Sequence, residues 1–295
     1  MGNKNFEVVI LLDYKRLDEL KYSIKFIKKH IECVAIVVIT SRIIEDEIKK
    51  MGLNFVDEDS VFPSLLFENV KKYMISLGGK TSRTGWYFQQ FLKMGYSYQC
   101  KYDYYVVWDS DTIPIKKIDF LQDEKMLFNM KNEHHKPYFS TIDKIFNKKL
   151  KFFKRNYRPS FISESMIFKV SIMKELIKCI SSADNLEGHN FWQKIMSAID
   201  RKNLSGSGFS EFETYGSYLI TYYPNLYQER TLCSERFGYS VFGHRLSEED
   251  TKNLSLDMIS FEIWDKNNPK GKLALLYRKW KDRLAKKFDL RLYDF

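Results

Sequence analysis

Apolar residues fall in short blocks separated by amphipathic stretches. "FEVVILL" (Phe6 to Leu12) is a continuous β-branched apolar run ending at Asp13, the pattern of a strand covered on both faces. "LDELKYSIKFIKKHI" then sets Leu17, Leu20, Ile24, Ile27 and Ile31 at helical spacing. "CVAIVVIT" (Cys33 to Thr40) predicts a second buried strand, "IIEDEIKKMG" a helix closed by Gly52, and "LNFVDED" a short third strand. Strand, helix, strand, helix, strand predicts a parallel sheet with helices on its faces. "YYVVW" (Tyr104 to Trp108) predicts a fourth strand. Ligands of such sheets bind beyond the carboxyl ends of the strands. Those ends carry Asp13 and Tyr14 on the first strand, and Asp109 and Asp111 on the fourth.

Two segments break this rhythm. "DKIFNKKLKFFKRNYR" (Asp143 to Arg158) is basic and aromatic, and reads as an inserted loop or hairpin. The last segment sets Leu273, Leu276, Tyr277, Trp280, Leu284 and Phe288 on one helical face, ringed by Lys272, Arg278, Lys279, Lys281, Arg283, Lys286 and Lys287. An apolar stripe flanked by cations suits the surface of an anionic bilayer. The expected organisation is a catalytic α/β domain over residues 1–250, with the insertion at 143–158, and a C-terminal helical extension over 251–295.

Charge narrows the partners. The 48 Lys and Arg exceed the 38 Asp and Glu, and the formal charge of +10 favours an anionic ligand or surface. The aromatic fraction of 16% suits a cleft that stacks sugar rings or bases. Cys33, Cys100, Cys179 and Cys233 stand singly, without the spacing of a zinc knuckle or a disulfide framework. No apolar run reaches membrane-spanning length and the N-terminus lacks a signal-peptide pattern, so a cytoplasmic location, at the inner face of the cell membrane, is expected. No nucleic-acid-binding motif is present, which argues against nucleic acid as the partner.

One motif is discarded. "GGKTS" (Gly78 to Ser82) has the end of a phosphate-binding loop, but Met74 stands where the first glycine belongs and the preceding "ENVKKYMIS" is helical. Gly78 and Gly79 read as a helix end. The D-x-D of Asp109 and Asp111 is different, because it closes a buried strand. Two carboxylates at i and i+2 beyond a strand end can approach one divalent cation, and hard oxygen ligands suit Mg²⁺ or Mn²⁺.

With its flanks "VVWDSDTIPIKKI", this D-x-D resembles the metal-binding motif of GT-A glycosyltransferases. The likeness extends to "RTGWYFQQFLKMGYS" upstream, and to "PSFISESMIFKVSIMKEL" and "GFSEFETYGSYL" downstream, which look like the acceptor-side strand and catalytic helix of a bacterial GT-A-like family of capsule and O-antigen synthesis. It spans roughly residues 6–245. The resemblance implies a GT-A-like, Rossmann-type mixed sheet flanked by helices. It also implies a metal-dependent hexosyltransferase, with galactofuranosyl transfer in range, taking its sugar from a UDP-linked donor. The acceptor would be a saccharide, lipid-linked if the enzyme works at a membrane, and the transfer inverting. A sugar-phosphate nucleotidyltransferase is the enzymatic alternative, disfavoured because "LLDYKRLDE" has no glycine after the first strand.

Each block then has an implied task. Asp13 and Tyr14 would contact the base and ribose of the donor, and Arg83, Gln89, Gln90 and Lys93 would lie near its phosphates. Gln89 and Gln90 cannot face the same way, and Gln90 is preferred. His244, read as following a short glycine-flanked strand in "GYSVFGHR", would complete the metal site of Asp109 and Asp111. His134 and His135 read as loop residues. An inverting transfer needs a carboxylate base, for which Glu211 and Glu213 compete. Ser210 and Glu213 have capping-box spacing, which would occupy Glu213 at the Ser210 amide and favour Glu211. Glu164 would orient the acceptor or pair with a cation.

Overall fold

The computed structural model describes residues 6–150, 160–243, 245–252, 254–267, 269, 273 and 276. In chain order the helices and strands are β1 (Phe6–Leu11), α1 (Leu17–His30), β2 (Ala35–Thr40), α2 (Glu45–Lys50), β3 (Asn54–Asp57), α3 (Phe67–Ser76), α4 (Thr84–Gly95) and β4 (Tyr104–Trp108). They continue with β5 (Thr112–Pro114), β6 (Leu121–Gln122), β7 (Lys125–Asn129), α5 (Lys136–Ile145), β8 (Ser165–Lys169), α6 (Val170–Ser181), α7 (Phe191–Ala198), α8 (Arg201–Leu204) and α9 (Glu211–Tyr222). After these come β9 (Tyr227–Arg230), β10 (Ser234–Glu235), α10 (Gly238–Phe242), α11 (Glu248–Thr251), β11 (Met258–Ser260) and α12 (Ile263–Asn267).

The central sheet runs β3-β2-β1-β4-β8. β1 pairs in parallel with β2 and β4, β2 pairs in parallel with β3, and β8 joins β4 antiparallel. The protein is therefore a mixed α/β fold, its sheet flanked by helices. All of β1 is buried, which explains its uninterrupted apolar pattern. Its one acid, Glu7, accepts a hydrogen bond from the Tyr96 hydroxyl.

The chain divides into two compact units. One unit is Met1–Leu17, Cys33–Asp109 and Asp119–Thr231; the other is Asp18–Glu32, Ser110–Ile118 and Leu232–Phe295. The first holds the central sheet and a smaller sheet ordered β6-β7-β9. The second holds a sheet ordered β10-β11-β5 and its own core of Phe26, Ile113, Ile115, Tyr239, Leu246, Ile259 and Phe261. Among the described residues no helix is long and apolar enough to cross a membrane.

Three local expectations change. "GYSVF" forms the short helix α10 instead of a strand, and His244, just beyond it, lies outside the described residues. The basic insertion begins inside α5, which runs to Ile145, while residues 151–159 lie outside the described part. The amphipathic C-terminal stripe also falls outside it, except for Leu273 and Leu276. Gly78 does end a helix: at φ +80° it takes the left-handed conformation after α3, and its amide reaches the Ile75 carbonyl at 2.9 Å.

Candidate functional site

The first unit brings two features to the carboxyl edge of its sheet. Val9 lies opposite Val107 in the β1/β4 register, which carries Leu11 to the level of Asp109. At the β1 and β2 ends a cavity of about 500 Å³ is lined by Leu11, Leu12, Ile39, Leu66, Phe67, Phe88 and Leu92, with Asp13, Tyr14, Lys15, Glu58, Asp59, Glu68 and Gln89 supplying polar groups. Apolar walls with a few polar groups are the usual makeup of a small-molecule site. Asp13 caps the short turn Tyr14–Arg16, its Oδ1 accepting from the Lys15 amide at 3.0 Å. Burial, with Asp59, Asp57 and Asp13 nearby, pushes the Glu58 carboxyl up to about 7.

At the end of β4 lies a charged cluster. The Lys93 ammonium, in the last turn of α4, is 2.9 Å from Glu211 Oε1 and 3.4 Å from Asp109 Oδ1. The Lys93 and Glu211 side chains are 11% and 5% exposed, whereas Asp109 is 40% exposed. Burial works to lower the Lys93 pKa, but the Glu211 and Asp109 carboxylates outweigh it and hold the amine above its ordinary value. The Phe212 ring lies 4.6 Å from the ammonium, and the Tyr105 hydroxyl donates to the Lys93 carbonyl at 2.8 Å. Beside the cluster, the Asp109 amide donates to the Glu164 carbonyl at 3.1 Å, and buried Glu164 pairs with Lys131, the cation pairing expected of it.

Glu211 opens α9, and the loop before it is held from two helices. At the start of α4, the N-cap residue Arg83 donates to the Gly206 carbonyl at 3.1 Å and to Ser207 Oγ at 3.0 Å, while the Gly208 amide donates to the hydroxyl of Tyr87, within the helix, at 3.1 Å. From α5 and its approach, Thr141 donates to the Gly208 carbonyl at 2.7 Å, and His135 Nε2 lies 2.7 Å from the Ser207 carbonyl. A Cβ on Gly208 would come within 2.3 Å of Ile199 and 3.0 Å of the Tyr87 hydroxyl, so only glycine lets this loop seat. Ser210 caps the helix through the Glu213 amide at 3.2 Å. The Glu213 carboxylate, however, does not complete the expected capping box: its Oε2 accepts from the Phe161 amide at 3.0 Å.

The two glutamines separate as their spacing requires. Gln89 faces the cavity. Gln90 is buried and its Oε1 accepts from the Glu211 amide at 3.2 Å. Arg83 is committed to the 206–207 loop and stacks on Trp86 at 4.5 Å, and Lys93 is committed to two carboxylates. His134 and His135 are loop residues, as expected; His134 stacks on Phe139 with centroids 4.7 Å apart. Sequence reasoning missed Glu58, Asp59, Phe67 and Phe88 in the cavity. The signal available was "DED" beyond the third strand, to which the same carboxyl-end rule applies.

Asp109 offers a half-exposed carboxylate, with Asp111 two positions on in the chain, and Mg²⁺ is commonly held by one or two carboxylates with the remaining positions filled by phosphates and water. Among the described residues no group of three or more His, Cys, Asp or Glu gathers as a ligand set. The Asp111 carbonyl accepts from the Phe261 amide at 2.9 Å, within the second unit.

Comparison with solved structures finds mouse xyloside xylosyltransferase 1 in its apo form, at 9% identity and TM-score 0.49, with 88% of this chain and 98% of that chain covered. It also finds two structures of the glycosyltransferase GlyE from Streptococcus pneumoniae TIGR4, each at 11% identity. The apo form has TM-score 0.42, covering 97% of this chain and 64% of that one; the other has TM-score 0.43, covering 92% and 60%. This chain thus spans under two thirds of the GlyE chains. No curated protein matches. Residues 11–234 match the family DUF6492, described as a family of unknown function, and the chain belongs to that family.

Proposed function

We propose that the protein is a glycosyltransferase that moves a sugar from a nucleoside diphosphate sugar, UDP-linked by the resemblance of its D-x-D flanks, to a saccharide acceptor. The observation that carries this reading is the arrangement along one sheet edge. A nucleoside-sized cavity lies at the β1 and β2 ends, and at the adjacent β4 end Asp109 is joined through buried Lys93 to Glu211. Asp13, Tyr14 and Gln89 would bind the nucleoside, and Asp109 with Asp111 would hold Mn²⁺ or Mg²⁺. When bound, the cation would neutralise charge on the departing diphosphate.

Glu211 is the proposed base that takes the acceptor proton, because Glu213 is anchored to the Phe161 amide. The hydrogen bonds from α4 and α5 to residues 206–208 fix where the Glu211 carboxylate stands, and pre-set geometry is what lets a base act. Burial, with the Glu211 charge adding to it, pushes the Tyr138 phenol up to about 12. Inversion, a role in bacterial surface polysaccharide synthesis and contact with an anionic membrane complete the proposal. The membrane contact draws on the exposed side chains Phe237, Val241, Ile263 and Trp264, together with the basic C-terminal sequence.

The test is a panel of nucleoside diphosphate sugars with Mn²⁺, read by calorimetric binding and by release of free nucleoside diphosphate. Asp109→Ala or Asp111→Ala should lower turnover by at least ~10²-fold in a folded protein. If no nucleotide sugar binds, the glycosyltransferase reading fails; full activity in EDTA removes the metal alone.

A further inference from the structure

A lysine is almost never fully buried without a partner, and Lys93 has two that differ in kind. The Glu211 contact at 2.9 Å is buried on both sides. The Asp109 contact at 3.4 Å is longer and faces a half-exposed carboxylate. The ammonium is thus anchored at Glu211 and leans toward Asp109. We propose that Lys93 is a positioning residue, an internal counter-cation that competes with a divalent ion for the Asp109 carboxylate, with Glu211 setting how strongly it competes. This inference rests on the metal reading of Asp109.

The electrostatics follow from the distances. A cation on Asp109 would face a positive charge 3.4 Å from one of its ligand oxygens, in a cluster whose buried side screens charge poorly. The Glu211 carboxylate, 2.9 Å from the same ammonium, offsets that charge. Removing the lysine should therefore strengthen the metal site, and neutralising Glu211 should weaken it, because the full ammonium charge then bears on Asp109. A purely structural role for the cluster makes a different forecast: disruption at either residue would loosen Asp109 and weaken metal binding.

The experiment measures Mn²⁺ affinity of the full chain without nucleotide, from the electron paramagnetic resonance signal of free Mn²⁺. Lys93→Met should bind Mn²⁺ at least ~5-fold more tightly than wild type, and Glu211→Gln at least ~5-fold more weakly. Removing Lys93 alone leaves Glu211 buried and uncompensated, which can unfold the protein. The double variant Lys93→Met/Glu211→Gln avoids that and should bind more tightly than Glu211→Gln alone. Shifts of the same sign in both single variants, or affinities equal to wild type in all of them, overturn the inference and leave the metal site standing. Absence of Mn²⁺ binding in wild type and every variant overturns the metal reading and the inference with it.

Discussion

The Glu213 carboxylate holds the Phe161 amide at 3.0 Å, tying the first turn of α9 to the segment that leads into β8. Two residues earlier on the same helix, Glu211 gives its carboxylate to Lys93 at 2.9 Å. Neighbouring acids with equal access to the helix N-terminus thus have separate tasks, one in the scaffold and one in the charged cluster.

That division predicts different losses. Glu213→Gln keeps an oxygen acceptor for Phe161 and should retain most activity, whereas Glu213→Ala leaves a buried amide unsatisfied and should cost about 1–3 kcal/mol in urea unfolding. At saturating Mn²⁺, Glu211→Gln should lower turnover by roughly 10²- to 10⁴-fold, with nucleotide affinity nearly unchanged. A dead Glu213→Gln beside an active Glu211→Gln would exchange the two assignments.

Gly208 supplies a second test, of the loop instead of the acid. An added methyl group meets Ile199 and the Tyr87 hydroxyl, so Gly208→Ala must shift the loop that sets Glu211. Turnover is expected to fall at least ~10-fold while nucleotide binding in the cavity at the β1 and β2 ends persists. Paired turnover and calorimetric measurements check this, and unchanged turnover would mean that the loop does not position the base.

Glu58 makes stability depend on pH. Its carboxyl is raised from 4.5 to about 7 by burial and by Asp59, Asp57 and Asp13, so the folded state holds the proton more tightly than the unfolded chain does. Its contribution is therefore most favourable below the unfolded value, declines as pH rises from 4.5 to about 7, and stays lost above that. Glu58→Gln should melt at least ~2 °C above wild type at pH 8 and coincide with it at pH 4, measured by thermal denaturation. A pH-independent difference would show that Glu58 is not perturbed in this way.

The Phe237 and Trp264 rings meet edge to face at 5.2 Å on the exposed surface of the second unit, near the start of the basic C-terminal sequence. Exposed aromatics next to cations suit a bilayer interface. Phe237→Ser/Trp264→Ser should cut sedimentation with anionic liposomes at least ~5-fold at low salt, with the fold intact by circular dichroism. Equal sedimentation of variant and wild type would assign any membrane contact to other residues.

The sequence by itself determined the strands and helices that build the site, because burial writes itself locally. A strand covered on both faces, such as β1 or β4, must be continuously apolar, and a helix that covers it must repeat its apolar residues every three or four positions. The acids at the strand ends were legible for the same reason, since they mark where burial stops. Partner choice was decided only in the tertiary structure. The Ser210–Glu213 spacing allows a capping box, yet the Phe161 amide, brought in by a distant segment, takes the carboxylate. Lys93 and Gln90, expected near the donor's phosphates, are buried against Glu211 because α9 packs there. Hydrogen bonds and ion pairs in a buried site are chosen by which groups lose water together, and that depends on how separate elements pack, which local pattern does not encode.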